Sequence, residues 1–215
     1  MLVSHTKRFI FSKTVKTGGT STEVAFQPAC LPPDGQSIPA ECGAIVSEFG
    51  IVGARGANAT QFEWWHHMSA KAIKDGVGPE VWNSYFKFTV IRNPFDKVVS
   101  WFHFRNPHVK ELPKGQMFAA FNSWISDAGS IPGDRDKYMI GGEFVLDDTA
   151  RYENLETELY RIASKLDVQL GAVPRLKAGP RGPKRIPYTA YYGSDARALV
   201  ERSFDYELSA FDYEF

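Results

Sequence analysis

One order of elements occurs twice in this chain and limits its folds more than anything else: a β-prone run, a polar turn, then a helix start. Phe86-Lys-Phe-Thr-Val-Ile91 is rich in β-branched and aromatic residues and ends on Arg92-Asn93-Pro94, where Pro94 suits the first turn of a helix reaching about Phe104. Arg8-Phe-Ile-Phe-Ser12 reads as a short buried strand. It is followed by Thr17-Gly-Gly-Thr-Ser21 and then by Thr22-Glu-Val-Ala-Phe26, which can start a helix. Strands that feed helices in this way predict an α/β fold with a central, mostly parallel sheet flanked by helices.

The other segments fit the same plan. Gln27 to Gly43 is broken by prolines and glycines, and Ala44 to Val52 returns as a short strand or hairpin. His66 to Lys74 has helical spacing, and Val81-Trp82 continues its apolar face beyond Gly76-Val-Gly-Pro79. Gln116 to Ala128 reads as a helix, Glu143 to Asp147 as a strand and Asn154 to Leu166 as an amphipathic helix. A basic Pro/Gly-rich loop follows Gly171, and Ser194 to Phe204 reads as a last helix with Ser194 as its N-cap.

A length of 215 residues fits a single domain, 1–215. The 25 basic residues balance 25 acidic ones, which gives no electrostatic support for a nucleic-acid partner. The apolar stretch near Met1 is too short for a signal sequence or a membrane span, so the expectation is a soluble, cytoplasmic protein with no membrane partner. Two cysteines, Cys30 and Cys42, make no metal motif, and ordinary thiols are expected in preference to a disulfide. Oligomeric state leaves no mark in the sequence.

The chemistry concentrates at the two turns. In Lys16-Thr-Gly-Gly-Thr-Ser21, loop and helix N–H groups can surround an anion, and the glycines permit close approach. It is not a Walker A loop, because its lysine precedes the glycines. Arg92 and Ser100, eight residues apart at the second turn, can face one anion. Taken together, the two turns describe a ligand with two separated anionic groups.

On these residues the chain resembles the sulfotransferases that use 3′-phosphoadenosine 5′-phosphosulfate (PAPS), in particular the carbohydrate branch and its bacterial relatives. Phe11 to Ser21 is similar to the family's 5′-phosphosulfate loop, and Phe86 to Ser100 is similar to its 3′-phosphate motif. His67-Met-Ser-Ala70, Arg151-Tyr-Glu-Asn-Leu155, Tyr191-Tyr-Gly-Ser194, Asp205-Tyr206 and Phe211 to Phe215 follow in family order. The resemblance implies a P-loop-like three-layer sandwich, PAPS as co-substrate with 3′-phosphoadenosine 5′-phosphate (PAP) as product, no metal, and a hydroxyl acceptor that is a sugar or glycan. It further implies that Lys16 contacts the phosphosulfate bridge, that Thr17, Gly18, Gly19, Thr20 and Ser21 bind the 5′-phosphate, and that Arg92 and Ser100 hold the 3′-phosphate. Lys177 in a late covering loop, with Arg181 and Lys184 after it, is a further candidate.

A fixed lysine and aligned N–H dipoles suit a leaving phosphate that gains charge. The acceptor proton needs a base, for which His67, its neighbour His66 and Glu63 are the candidates. On a helix only one of the two histidines would face the crevice. Trp64, Trp65, Trp101 and Phe102 are candidates for stacking on a sugar, each against a core reading. Two rival functions remain open: a nucleotide-dependent phosphoryl transferase, and a catalytically silent PAP-binding module.

Overall fold

The computed structural model describes residues 1–34, 38–127, 131, 133–176 and 186–215. Along the chain run β1 (Leu2–Ser4), β2 (Phe9–Ser12), α1 (Gly19–Phe26), β3 (Ile45–Ser47), β4 (Gly50–Val52), α2 (Ala70–Ser84), β5 (Phe86–Ile91), α3 (Pro94–Arg105) and α4 (Lys114–Asp127). There follow β6 (Met139–Ile140), β7 (Glu143–Phe144), β8 (Asp148–Arg151), α5 (Leu155–Lys165), α6 (Ser194–Ser203) and α7 (Asp205–Ala210). The fold is α/β and divides into two compact units, Met1–Ile91 with Asp134–Ala178 and Arg92–Gly133 with Gly179–Phe215.

The first unit carries a six-stranded sheet in the order β3-β4-β1-β2-β5-β8. Its β2-β5-β8 half is parallel, as the strand–turn–helix pattern predicts, with Phe11 opposite Phe88 and Thr89 opposite Thr149. The β3-β4-β1 half and its junction with β2 are antiparallel. The connections explain this difference. Four residues join β1 to β2 and two join β3 to β4, lengths that close hairpins and are far too short for a parallel crossover.

Alternate residues of the parallel half point into a phenylalanine-rich core. Phe9, Phe11, Phe26 and Phe88 are fully buried there with Leu159 and Ile162 from α5, and Phe26 meets Phe9 edge-on at 5.7 Å. Each such ring contributes about 1.5–3 kcal/mol of burial free energy. This core fixes α1 and α5, and thereby the loop that runs from β2 into α1.

Two sequence expectations shift here. The last sheet strand is the polar β8, whereas Glu143–Phe144 of the expected strand pairs with β6 in a separate hairpin. An edge strand needs only one paired side, so Asp-Thr-Ala-Arg serves, and Arg161 of α5 holds Asp148 through Nη1 at 2.7 Å and Nη2 at 3.0 Å. The second shift is at α2, which begins only at Ala70, after the His66-His67 turn, with Ser69 as N-cap accepting from the Ala72 N–H at 3.1 Å. The helix is interrupted at Gly78, whose φ of 80° is non-helical.

The second unit packs Phe95, Phe102, Phe121, Tyr191 and Phe204 around α3, α4 and α6. Pro94 opens α3, and Asn93 caps it by accepting from the Phe95 N–H at 3.0 Å. At α6 the cap is Gly193, not Ser194, and it makes no side-chain cap bond. Cys30 and Cys42 are free thiols. Among the described residues no helix is long and apolar enough to cross a membrane.

Candidate functional site

The loop between β2 and α1 is shaped by its own threonines. Thr14 and Thr17 are buried and bonded hydroxyl to hydroxyl at 2.8 Å, while the Thr14 hydroxyl also bonds the Val90 carbonyl on β5. The Val15 N–H donates to Asp134 Oδ2 at 2.9 Å. So anchored, the loop turns sharply into the helix, with left-handed φ angles of 62° at Lys16 and 77° at Gly18.

Glycine is required at two adjacent places. A Cβ on Gly18 would lie 2.7 Å from Leu155 Cδ2, and one on Gly19 would lie 2.6 Å from Lys13 Cγ. Gly18 caps α1 without a side-chain bond, so the first N–H groups of the helix are left for another acceptor. Thr20 and Ser21, on that first turn, have hydroxyls set as donors. Thr20 Oγ1 accepts from Lys13 Nζ at 3.1 Å, and Ser21 Oγ accepts from the Leu176 N–H at 3.0 Å. Each oxygen accepts from the protein, so each hydroxyl hydrogen is available to an anion. This is an anion cradle made of backbone N–H groups and two hydroxyls.

Beside it, sequence reading overlooked a buried ion cluster. Glu23 of α1 is fully buried and accepts from Lys13 Nζ at 2.5 Å and from the Met1 amino group at 2.6 Å, with Arg55 Nη1 at 3.8 Å. Burial favours the neutral acid, but the Met1 and Lys13 charges overcome it and hold the carboxyl below its ordinary range. Lys13 and Glu23 are ten residues apart and Arg55 is distant in sequence, so no spacing pattern marked them.

His66 and His67 lie in a turn ahead of α2, not on a helix, and their rings are neighbours with centroids 4.4 Å apart. His66 Nδ1 is 2.8 Å from the Ala54 carbonyl, and His67 Nδ1 is 3.0 Å from the Lys13 carbonyl. A carbonyl only accepts, so Nδ1 carries the proton in both rings and Nε2 is the lone-pair nitrogen. Burial, aided by the Lys13 charge, pulls His67 down to about 3; burial also lowers His66. Both rings are therefore neutral at pH 7.

Glu63 and Glu153 are exposed, and Trp64 is buried against Gly76 of α2, which gives that ring a core role. Trp65 is half-buried with its ring edge-on to His66 at 6.1 Å. In the second unit Arg92 is 4% exposed and donates from Nε and Nη2 to Asp96 Oδ2, at 3.0 and 2.7 Å. Ser100 is half-buried in α3. Trp101 stacks on Phe104 at 5.5 Å, whereas Phe102 is a core ring. Lys177, Arg181 and Lys184 lie outside the described residues.

An uncharacterized protein of Archaeoglobus fulgidus is 28% identical over 99 residues, which are 46% of this chain and 82% of that protein. No solved structure matches. The family model described as the sulfotransferase family matches residues 1–157, a span that takes in the cradle, the histidine turn and the Arg92–Ser100 segment. The chain therefore belongs to the sulfotransferase family.

Proposed function

We propose that the protein transfers the sulfuryl group of PAPS to an acceptor hydroxyl, with a carbohydrate as the acceptor class. The observation that carries this reading is the cradle at Lys16 to Ser21, set beside a neutral histidine whose tautomer is fixed. A loop where a Cβ at Gly18 or Gly19 would collide, lined by two donor hydroxyls, suits a 5′-phosphosulfate. PAPS supplies the sulfuryl group and, as its leaving group, a phosphate.

The roles of the residues follow. Lys16, with the α1 N–H groups and the Thr17 to Ser21 segment, stabilises negative charge on the leaving phosphate oxygen. His67 takes the acceptor's proton at Nε2, and His66 is the next candidate. Arg92 and Ser100 hold the 3′-phosphate. Lys177 belongs to the covering loop, a role supported by the Leu176 N–H bonded to Ser21 at the cradle. Half-buried Trp65 beside the histidines supports a sugar acceptor. A P-loop-like layering and a cytoplasmic setting, consistent with two free thiols, belong to the same reading.

Binding tests it. PAP should raise the melting temperature much more than adenosine 5′-phosphate does, and Arg92→Ala should weaken PAP by about 2 kcal/mol, roughly 30-fold. Equal shifts with the two nucleotides would remove the 3′-phosphate site, and a larger shift with ATP than with PAP would favour a phosphoryl transferase.

A further inference from the structure

Lys13 links the cradle to the histidine turn. It is 5% exposed, and its stem packs against Gly19 so closely that a Cβ there would lie 2.6 Å from Lys13 Cγ. Its ammonium donates to Thr20 Oγ1 at 3.1 Å and to Glu23 Oε2 at 2.5 Å, and its own carbonyl faces His67 Nδ1 at 3.0 Å. An ammonium has only hydrogens to give, so the Thr20 oxygen must accept and its hydroxyl hydrogen must point elsewhere.

We propose that Lys13 is a positioning residue for both halves of the reaction, its ammonium committing the Thr20 hydroxyl to donate to the bound phosphate and its backbone carbonyl fixing Nε2 as the basic nitrogen of His67. This rests on the sulfotransferase reading above for what binds, though not for the geometry. Glu23 holds the ammonium in place, itself shared with the Met1 amino group and Arg55. The titratable groups around His67 are the Lys13 ammonium, the Met1 amino group and His66, with Glu23 paired to Lys13 and Arg55 to Glu23. Lys13 is the largest charge contribution to its lowered basicity, after burial itself. Its removal therefore has a sign: an imidazolium at His67 becomes easier to form.

The test is histidine NMR across a pH titration, with PAP affinity measured on the same samples. In Lys13→Met the His67 midpoint should rise by about one pH unit or more, while Nδ1 stays protonated because the carbonyl remains. PAP affinity should fall about tenfold, as expected when a charge-assisted donor arrangement is lost. The double variant K13M/E23Q removes both charges of the Lys13–Glu23 pair and should shift the midpoint in the same direction but by less, because the Glu23 charge that favours an imidazolium goes with it. A folded single or double variant whose His67 midpoint stays at the wild-type value would overturn the proposal. So would wild-type PAP affinity in those variants. Because the titration needs no substrate, a wild type that never transfers sulfuryl would sink the functional reading while leaving the midpoint shift to judge Lys13.

Discussion

Lys16 holds its backbone in the left-handed region at φ 62°, a conformation that a non-glycine residue adopts at a cost of roughly 1–2 kcal/mol. Lys16→Gly should therefore be more stable than Lys16→Ala by about 1 kcal/mol in chemical denaturation, yet both should lose kcat/KM strongly, with a smaller loss of PAP affinity. If PAP affinity collapsed with kcat unchanged at saturation, Lys16 would be a ground-state anchor. His67→Ala should lower kcat about 100-fold or more and leave PAP binding near wild type, and His66→Ala should cost clearly less. A larger loss in His66→Ala would move the base to its neighbour.

The pH behaviour of His67 follows from its surroundings. An exposed histidine base would give an acid limb near 6.5, but burial and Lys13 hold this one down to about 3 in the free protein, so the limb in kcat/KM should lie far below 6.5. Negative charge arriving with the donor opposes Lys13, so the limb in kcat should lie above that in kcat/KM. Coincident limbs near 6.5 would show that His67 is not the titrating base. The same group shapes stability. Its folded pKa is depressed, so its contribution is complete above the unfolded value of about 6.5 and is lost as the pH falls toward 3, by up to about 1.4 kcal/mol per pH unit. His67→Gln should flatten that part of the stability curve.

Among the elements, the join of β2, cradle and α1 was the most legible in the sequence, because glycines, a buried phenylalanine run and a helix start each point to the same geometry. Gly18 shows how closely the site and fold are bound together. Gly18→Ala places a Cβ 2.7 Å from Leu155 Cδ2 on α5 and imposes a side chain at φ 77°, so it should destabilise the protein by more than about 1 kcal/mol and weaken PAP as well. Wild-type PAP affinity in that variant would separate the loop's shape from anion binding. Ser69→Ala, which removes the α2 cap just after the histidine turn, should cost about 1 kcal/mol in stability. The helical spacing of His66 to Lys74 misled at its start because Ser69, a cap, was counted within the run. β8 was displaced by a few residues because a polar edge strand lacks the apolar alternation on which strand reading depends.

At the scale of the molecule, local pattern identified the α/β class, the two strand–turn–helix junctions and the residues along them. It could not show the buried Lys13–Glu23–Arg55 cluster or the two ring nitrogens fixed by carbonyls. Those depend on residues far apart in the chain meeting through the sheet, as Thr14 meets Val90 and His67 meets Lys13. Of the antiparallel half, the β3–β4 hairpin falls within the expected Ala44 to Val52 segment, whereas the very short β1, which pairs with β2 on the side away from β5, was hidden. The central claim is sulfuryl transfer, and labelled PAPS offered with a panel of hydroxyl compounds, sugars foremost, followed by mass analysis of the products, tests it most directly. Label should move to an acceptor hydroxyl with release of PAP, and the transfer should fail in Lys16→Ala. Tight PAP binding with no labelled product from any acceptor would contradict the account and leave a protein that only binds the nucleotide.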